Sequence, residues 1–178
     1  MSLRSLEMLL GSPLPGRPRP EDLEVLAGSW PGALDTAGLL ARTRFSDQGY
    51  SRTIVQRTSG WEVLLVGWLP GQRTAPHGHG ESFGLTCVLE GKLTEVVYRL
   101  APGGQVMRAE RHVHTPGRVF REEPHTIHHV EHAGRSRTVS LHLYAPPLER
   151  MELYEGSTGT SHPRGSGRRE PKRSIIVR

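Results

Sequence analysis

A mainly β fold, a sandwich or barrel with a short helical N-terminal region, is what the sequence predicts. Three observations lead there. Seven short runs of strand-forming residues follow one another between Tyr50 and Tyr144. Turn residues mark their joints: Ser59-Gly60, Pro70-Gly71, Glu90-Gly91, Pro102-Gly103-Gly104, Pro116-Gly117 and Ala133-Gly134. The composition agrees, since 178 residues with 21 Gly and 14 Pro suit one turn-rich domain long enough to bury a single core.

Residues 3–10 and 21–27 carry apolar side chains at helical spacing. The second segment follows Pro20 and opens on Glu21 and Asp22, residues that suit a first turn whose backbone N–H groups are unpaired. Residues 11–20 hold four prolines and read as a connector. A third helix is predicted over 34–44. Strands are then predicted over 50–57, 61–68, 83–90, 92–100, 106–114, 126–131 and 137–144. Residues 156–173, rich in Gly, Ser and Arg, read as a flexible tail, after which 174–177 suits an edge strand. The expected organisation is a helical lead-in over 1–48 packed on a barrel over 49–155, then a basic tail over 156–178.

The formal net charge of +5 lies wholly in that tail, where six basic side chains face one acid, and residues 1–155 are neutral. A neutral body lacks the basic face that nucleic acid requires, so none is expected as a partner. The lone cysteine, Cys87, excludes an intrachain disulfide framework, and no apolar run approaches the roughly 20 residues a bilayer demands. Residues 1–10 are too short for a secretory leader. The chain is read as a cytoplasmic monomer without a membrane partner.

The chemistry starts at Pro76-His77-Gly78-His79-Gly80-Glu81-Ser82-Phe83. On a strand alternate side chains share a face, so His77 and His79 point the same way and form a clamp for a divalent transition metal. With Gly71 before the pair and Gly91 after it, the spacing is similar to the first signature of the cupin superfamily. One departure matters: that pattern carries a glutamate ligand where this chain has Phe83 or Gly84, and Glu81 sits in a turn. Three histidines are therefore expected to form the metal site. The third comes from His125, His128, His129 or His132, and strand alternation alone leaves the choice open.

Over roughly residues 50–154 the chain resembles the bacterial branch of the cysteine dioxygenase family, the cupin-type iron-dependent thiol dioxygenases. The resemblance rests on Tyr50-Ser51-Arg52, on Thr74 through Gly84, on Ile127-His128-His129-Val130-Glu131 and on Ser140-Leu141-His142-Leu143-Tyr144-Ala145-Pro146-Pro147. It implies a cupin (double-stranded β-helix, jelly-roll) barrel, Fe(II) held by His77, His79 and His128, and a hydrogen-bonded chain Ser140–His142–Tyr144 ending at the metal. It also implies that Arg52, with Tyr50 beside it, binds the substrate carboxylate, an arginine here going with cysteine and a glutamine with 3-mercaptopropionate. Eukaryotic members carry at position 84 a cysteine cross-linked to the tyrosine matching Tyr144; Gly84 forbids that bond, and Cys87 on the other face is expected to be a buried, inert thiol. Phe83 and His125, His129 and His132 are further departures that could reshape the pocket.

The implied activity is oxidation of a small thiol, L-cysteine first, by O2 to the sulfinic acid. Two other readings stand beside it: a dioxygenase of 3-mercaptopropionate or of a thiol-imidazole such as ergothioneine, and a non-catalytic cupin that binds a small molecule.

Overall fold

The computed structural model describes residues 16–102, 105–132, 134–154 and 173–176, the last as backbone only. The helix predicted over 3–10 and most of the predicted tail lie outside these residues.

Two helices open the described chain, α1 (Pro20–Ala33) and α2 (Thr36–Arg42). Pro20 stands in the first turn of α1, and the Asp22 carboxylate accepts the Arg19 N–H at 2.9 Å. Asp35 caps α2 by accepting the Gly38 N–H at 3.0 Å. Helix α1 runs past its predicted end at 27 because Trp30, fully buried, packs with Leu23 and Leu26 against the sheet.

Eleven strands follow among the described residues: β1 (Ser51–Arg57), β2 (Glu62–Trp68), β3 (His77–Gly78), β4 (Phe83–Glu90), β5 (Leu93–Leu100), β6 (Val106–His114), β7 (Val119–Glu122), β8 (Ile127–Glu131), β9 (Thr138–Ala145), β10 (Arg150–Leu153) and β11 (Arg173–Ile176). They form a five-stranded sheet, β1-β2-β9-β4-β7, and a six-stranded sheet, β11-β10-β3-β8-β5-β6. The seven predicted strands are all present. Strands β7 and β10 were not predicted, because each is short and owes its conformation to pairing with a neighbour rather than to an apolar run, and of the stretch expected to carry both His77 and His79 only His77–Gly78 is strand. The edge strand expected at 174–177 is β11, paired with β10. Among the described residues no helix is long and apolar enough to cross a membrane.

This is the double-stranded β-helix of a cupin, and its five-stranded sheet is buried on both faces. Side chains of a strand alternate between faces. Val63 and Leu65 of β2, Leu85 and Cys87 of β4, and Leu141 and Leu143 of β9 therefore join the helices in one core. Leu64, Val66 and Trp68 of β2, Val88 of β4 and Tyr144 of β9 face the second sheet with Leu93 and Val130. Polar interior residues, Thr86, Ser140 and His142, share this second parity, so the functional side chains project between the sheets.

Leu141 is fully buried on the helix-facing side of the central strand. Leu141→Ala is expected to lower the unfolding free energy by about 2–5 kcal/mol. Val113, 55% exposed on β6, serves as control: Val113→Ala should stay within about 0.5 kcal/mol of wild type in the same urea titrations. Equal effects of the two would contradict this division of core and surface.

Candidate metal centre

Strands β3 and β8 pair with His77 directly opposite His128. His79 lies just beyond β3, in a turn closed by Gly80 at φ +59°, and not on a strand as expected from its sequence. Its ring still reaches the other two. Ring centroids are 4.7 Å apart for His77 and His79, 4.7 Å for His77 and His128, and 5.0 Å for His79 and His128. One ligand nitrogen from each lies within 4.8 Å of the others, and all three side chains are buried. Of the four histidines that alternation left open, His128 is the one the fold brings beside this pair.

Hydrogen bonds aim these rings. His77 Nδ1–H donates to the Ala75 carbonyl at 2.8 Å, and His128 Nδ1–H donates to Glu95 Oε1 at 2.9 Å. An acceptor at Nδ1 holds the proton there and leaves the Nε2 lone pair free, the arrangement of a metal-binding imidazole. His79 Nε2 and His128 Nε2 are buried with no hydrogen-bond partner. Unpaired buried nitrogens are costly, and a metal ion would satisfy both, so these residues fit one. Burial, with His128 and His79 alongside, holds His77 well below the usual imidazole range, in the neutral form that ligates. An all-imidazole donor set suits Zn, Cu, Fe or Ni.

Beside the histidines runs a polar chain with a defined direction. Trp68 Nε1–H donates to Ser140 Oγ at 2.9 Å, and Ser140 Oγ lies 2.7 Å from His142 Nε2. His142 Nδ1 lies 2.8 Å from Thr86 Oγ1 and 3.2 Å from the Tyr144 hydroxyl. Thr86 donates to Glu122 Oε1 at 2.6 Å. With an indole donor at one end and a carboxylate acceptor at the other, the protons can be ordered only one way: Ser140 O–H to His142 Nε2, and His142 Nδ1–H toward Thr86 and Tyr144. Burial, and then the Arg52 charge, lower His142 to about 4 against the pull of Glu122. Burial and Glu122 raise Tyr144 well above the usual phenol range, so the phenol stays protonated.

These groups enclose a cavity of about 40 Å³. His77, His79, His128, His142 and Tyr144 line it, together with Tyr50, Arg52, Glu122 and apolar side chains that include Leu64, Val130 and Met151. Arg52 is exposed, at the mouth, and Tyr50 stacks on Trp68 with centroids 4.8 Å apart. Ser140 stands behind the wall, hydrogen-bonded to the lining residues His142 and Trp68. Other expectations are corrected. Phe83 lies in the helix-facing core and does not shape the pocket. His125 occupies a turn at φ +63° and pairs with Glu81 at the surface, His129 bonds the Tyr98 hydroxyl, and His132 caps a loop at Ser136 O. Cys87 is buried away from the cavity, and burial pushes its thiol up to about 11. Sequence reasoning missed Thr86, Glu95, Trp68 and Glu122. A lone acid within the apolar run of β5 was the available signal for Glu95.

Residues 35–157 match the family model for cysteine dioxygenase type I. The chain belongs to that family. Cysteine dioxygenase type 1 of Rattus norvegicus is 24% identical over 121 residues, which cover 65% of this chain and 60% of that protein. The Homo sapiens protein is 25% identical over 121 residues, with the same coverage. The chain thus spans less than two thirds of the length of these relatives. Among solved structures, the TT1209 protein of Thermus thermophilus is similar at 25% identity and TM-score 0.51, over 61% of this chain and 94% of that one. A Klebsiella pneumoniae protein with a double-stranded β-helix domain gives TM-score 0.52 at 20% identity, over 66% and 88% of the two chains. These structures share the cupin fold, and the matched residues include His77, His79 and His128.

His142 ties pH to stability. Unfolded, it takes up a proton near 6.5; folded, only near 4. Between those values the unfolded chain binds more protons, so His142 makes the metal-free fold less stable as pH falls from about 6.5 to 4, by on the order of 3 kcal/mol. Urea titrations of the metal-free protein at several pH values should show that slope, and His142→Gln should flatten it by this amount. A variant with the wild-type slope would rule out the buried neutral imidazole.

Proposed function

We propose that the protein is an Fe(II)-dependent dioxygenase of a small thiol, L-cysteine first, yielding the sulfinic acid with both oxygen atoms from O2 on sulfur. The observation that carries this reading is the convergence, on one small cavity, of three imidazoles with free nitrogen lone pairs and of the Tyr144 hydroxyl, with Arg52 at the entrance. The family relation supports iron; the donor set alone would also suit zinc. When bound, the metal supplies adjacent open positions for a thiolate and dioxygen. The chain's own residues do the rest.

Arg52 offers a planar, permanently charged fork to the substrate carboxylate and so fixes the end of the molecule remote from sulfur. Tyr50, held flat against Trp68, braces that side of the entrance. His142 aims the Tyr144 hydroxyl into the cavity, where the protonated phenol donates a hydrogen bond to whatever oxygen atom develops charge. Apolar walls from Leu64, Val66, Val130, Leu148 and Met151 keep bulk water away from the reacting atoms. The small size of the cavity, about 40 Å³, suits a small thiol. The partners required are a small thiol and O2.

Oxygen uptake by protein of measured iron content, offered a panel of thiols, tests the reading. Cysteine should be consumed with about one O2 per sulfinate; no uptake with any thiol by iron-loaded protein would leave a non-catalytic binding cupin. His77→Ala and His128→Ala should each lose iron and turnover, and iron kept at wild-type stoichiometry in either would refute that ligand. Arg52→Gln should lower kcat/KM for cysteine about tenfold or more, and for 3-mercaptopropionate by less. Equal losses on the two substrates would count against the carboxylate role.

A further inference from the structure

Beside the metal cavity lies a second recess, of about 330 Å³, lined by the three arginines Arg44, Arg52 and Arg57, with Glu62 as its one acid among the described residues. Arg52 and Leu64 line both spaces, so the two meet at the mouth.

Local features of the backbone gather these guanidinium groups. The pairing of β1 with β2 shifts between Ile54 and Gln56, the mark of an extra residue in β1. Regular alternation would send Arg52 and Arg57 to opposite faces of the strand. The shift returns Arg57 to the face of Arg52, so that Arg52 stands opposite Val66 and Arg57 opposite Glu62. Arg57 is then held in place: its Nη2–H donates to the Leu148 carbonyl at 3.3 Å, and its Nη1 lies 3.6 Å from the Glu62 carboxylate. Arg44 comes from the segment after α2. The Ser51 hydroxyl donates to its carbonyl, which lies so close to β2 that a Cβ on Gly67 would collide with it.

The charges of the recess do not cancel. Glu62 is 1% exposed; its Oε1 accepts the Leu148 N–H at 2.9 Å, and its Oε2 faces Arg57. Among the described residues, neither Arg44 nor Arg52 has an acid within ion-pair distance. An isolated surface arginine is merely solvated, but these three share one concavity that opens onto the metal cavity. A concave site of one sign concentrates the opposite ion, and the guanidinium fork pairs with oxyanions. With Arg52 assigned to the substrate carboxylate, Arg44 and Arg57 are left for another acidic group.

We propose that the recess binds a second oxyanion, so that small thiols with two acidic groups are substrates beside cysteine. This rests on the thiol-dioxygenase reading and extends its substrate range. The reaction is unchanged: R–SH and O2 give R–SO2⁻ and H⁺, the sulfur passing its electrons to O2 and taking both oxygen atoms.

The first test needs no metal. Calorimetric titration of the full-length, metal-free protein should show succinate or 3-phosphonopropionate binding about tenfold or more tighter than butyrate, which matches their length with a single carboxylate. A gain for succinate alone makes the second group a carboxylate, and a gain for the phosphonate alone makes it a phosphoryl group. Equal affinities for all three, or no binding of any, overturn the proposal. Arg44→Gln should erase the gain, and Arg57→Lys, which keeps a cation beside Glu62, should reduce it. The second test is turnover by iron-loaded protein of mercaptosuccinate and 3-mercaptopropionate, which differ by one carboxylate. Arg44→Gln should lower kcat/KM for mercaptosuccinate about tenfold and for 3-mercaptopropionate less than about threefold. Equal losses on the two would overturn the subsite. No oxygen uptake with any thiol, in a protein that still prefers succinate to butyrate, would overturn the substrate claim together with the dioxygenase reading and leave the anion subsite standing. The wild-type comparison of succinate with butyrate decides the matter even if a variant fails to fold.

Discussion

Everything in this structure answers to one constraint: imidazole nitrogens and a carboxylate must be gathered at a single point inside an apolar barrel. Taken from water, each such group is unfavourable unless something meets it. The surroundings meet them selectively. Ala75 O and Glu95 take the outer nitrogens of His77 and His128, and Thr86 takes one oxygen of Glu122, so the atoms left free are those that face inward. The acids remain ionised despite burial. Burial alone would raise Glu95, but its hydrogen bonds to His114 and His128 outweigh it and hold the carboxyl below its usual range. Burial would raise Glu122 as well, and His128 and His79 hold it well below that range instead. Negative charge thus persists where a divalent cation would balance it.

Strand register delivers these groups, and β9 shows how little freedom it has. Leu141 and Leu143 enter the helix-facing core while Ser140, His142 and Tyr144 point toward the cavity side. A slip of one residue would put leucines against the clustered histidines and three polar groups on the helix side. Both flanking strands oppose such a slip, since β2 and β4 place Leu64 and Thr86 opposite His142. The helices matter here in a way unrelated to chemistry: by burying the outer face they make register errors unfavourable on both sides of the sheet.

The parts of this arrangement that the sequence showed are those written in local periodicity. Seven strands, the shared face of Ser140, His142 and Tyr144, and the opposite face of Cys87 all follow from alternation. Two short strands did not, because Val119–Glu122 and Arg150–Leu153 are extended only through their partners. That omission had a consequence for the site. With β7 unseen, Glu122 was an anonymous acid between turns, and nothing in its neighbourhood paired it with Gly84. The resemblance to known dioxygenases selected His128, which parity could not do; the cross-strand pair with His77 is the physical reason that it is this histidine and not His129. Phe83 was misplaced because its neighbour Gly84 faces the cavity, and adjacent strand residues face apart.

Gly84 also explains how Tyr144 is held. At position 84, where the resemblance places a cross-linked cysteine in eukaryotic members, a Cβ here would crowd Tyr144 Cε1 and the Glu122 carboxylate together. The phenol is positioned instead by contact with the His79 ring, 4.8 Å away and steeply inclined, and by the His142 nitrogen at 3.2 Å. A covalent constraint holds at any pH, but a hydrogen bond of this kind requires a proton on His142 Nδ1 and a lone pair on Nε2. Trp68, through Ser140, and Glu122, through Thr86, impose that distribution from the two ends of the chain. The orientation of the tyrosine therefore depends on the same carboxylate that sits against His79 and His128, which joins the two halves of the site through one residue on an edge strand.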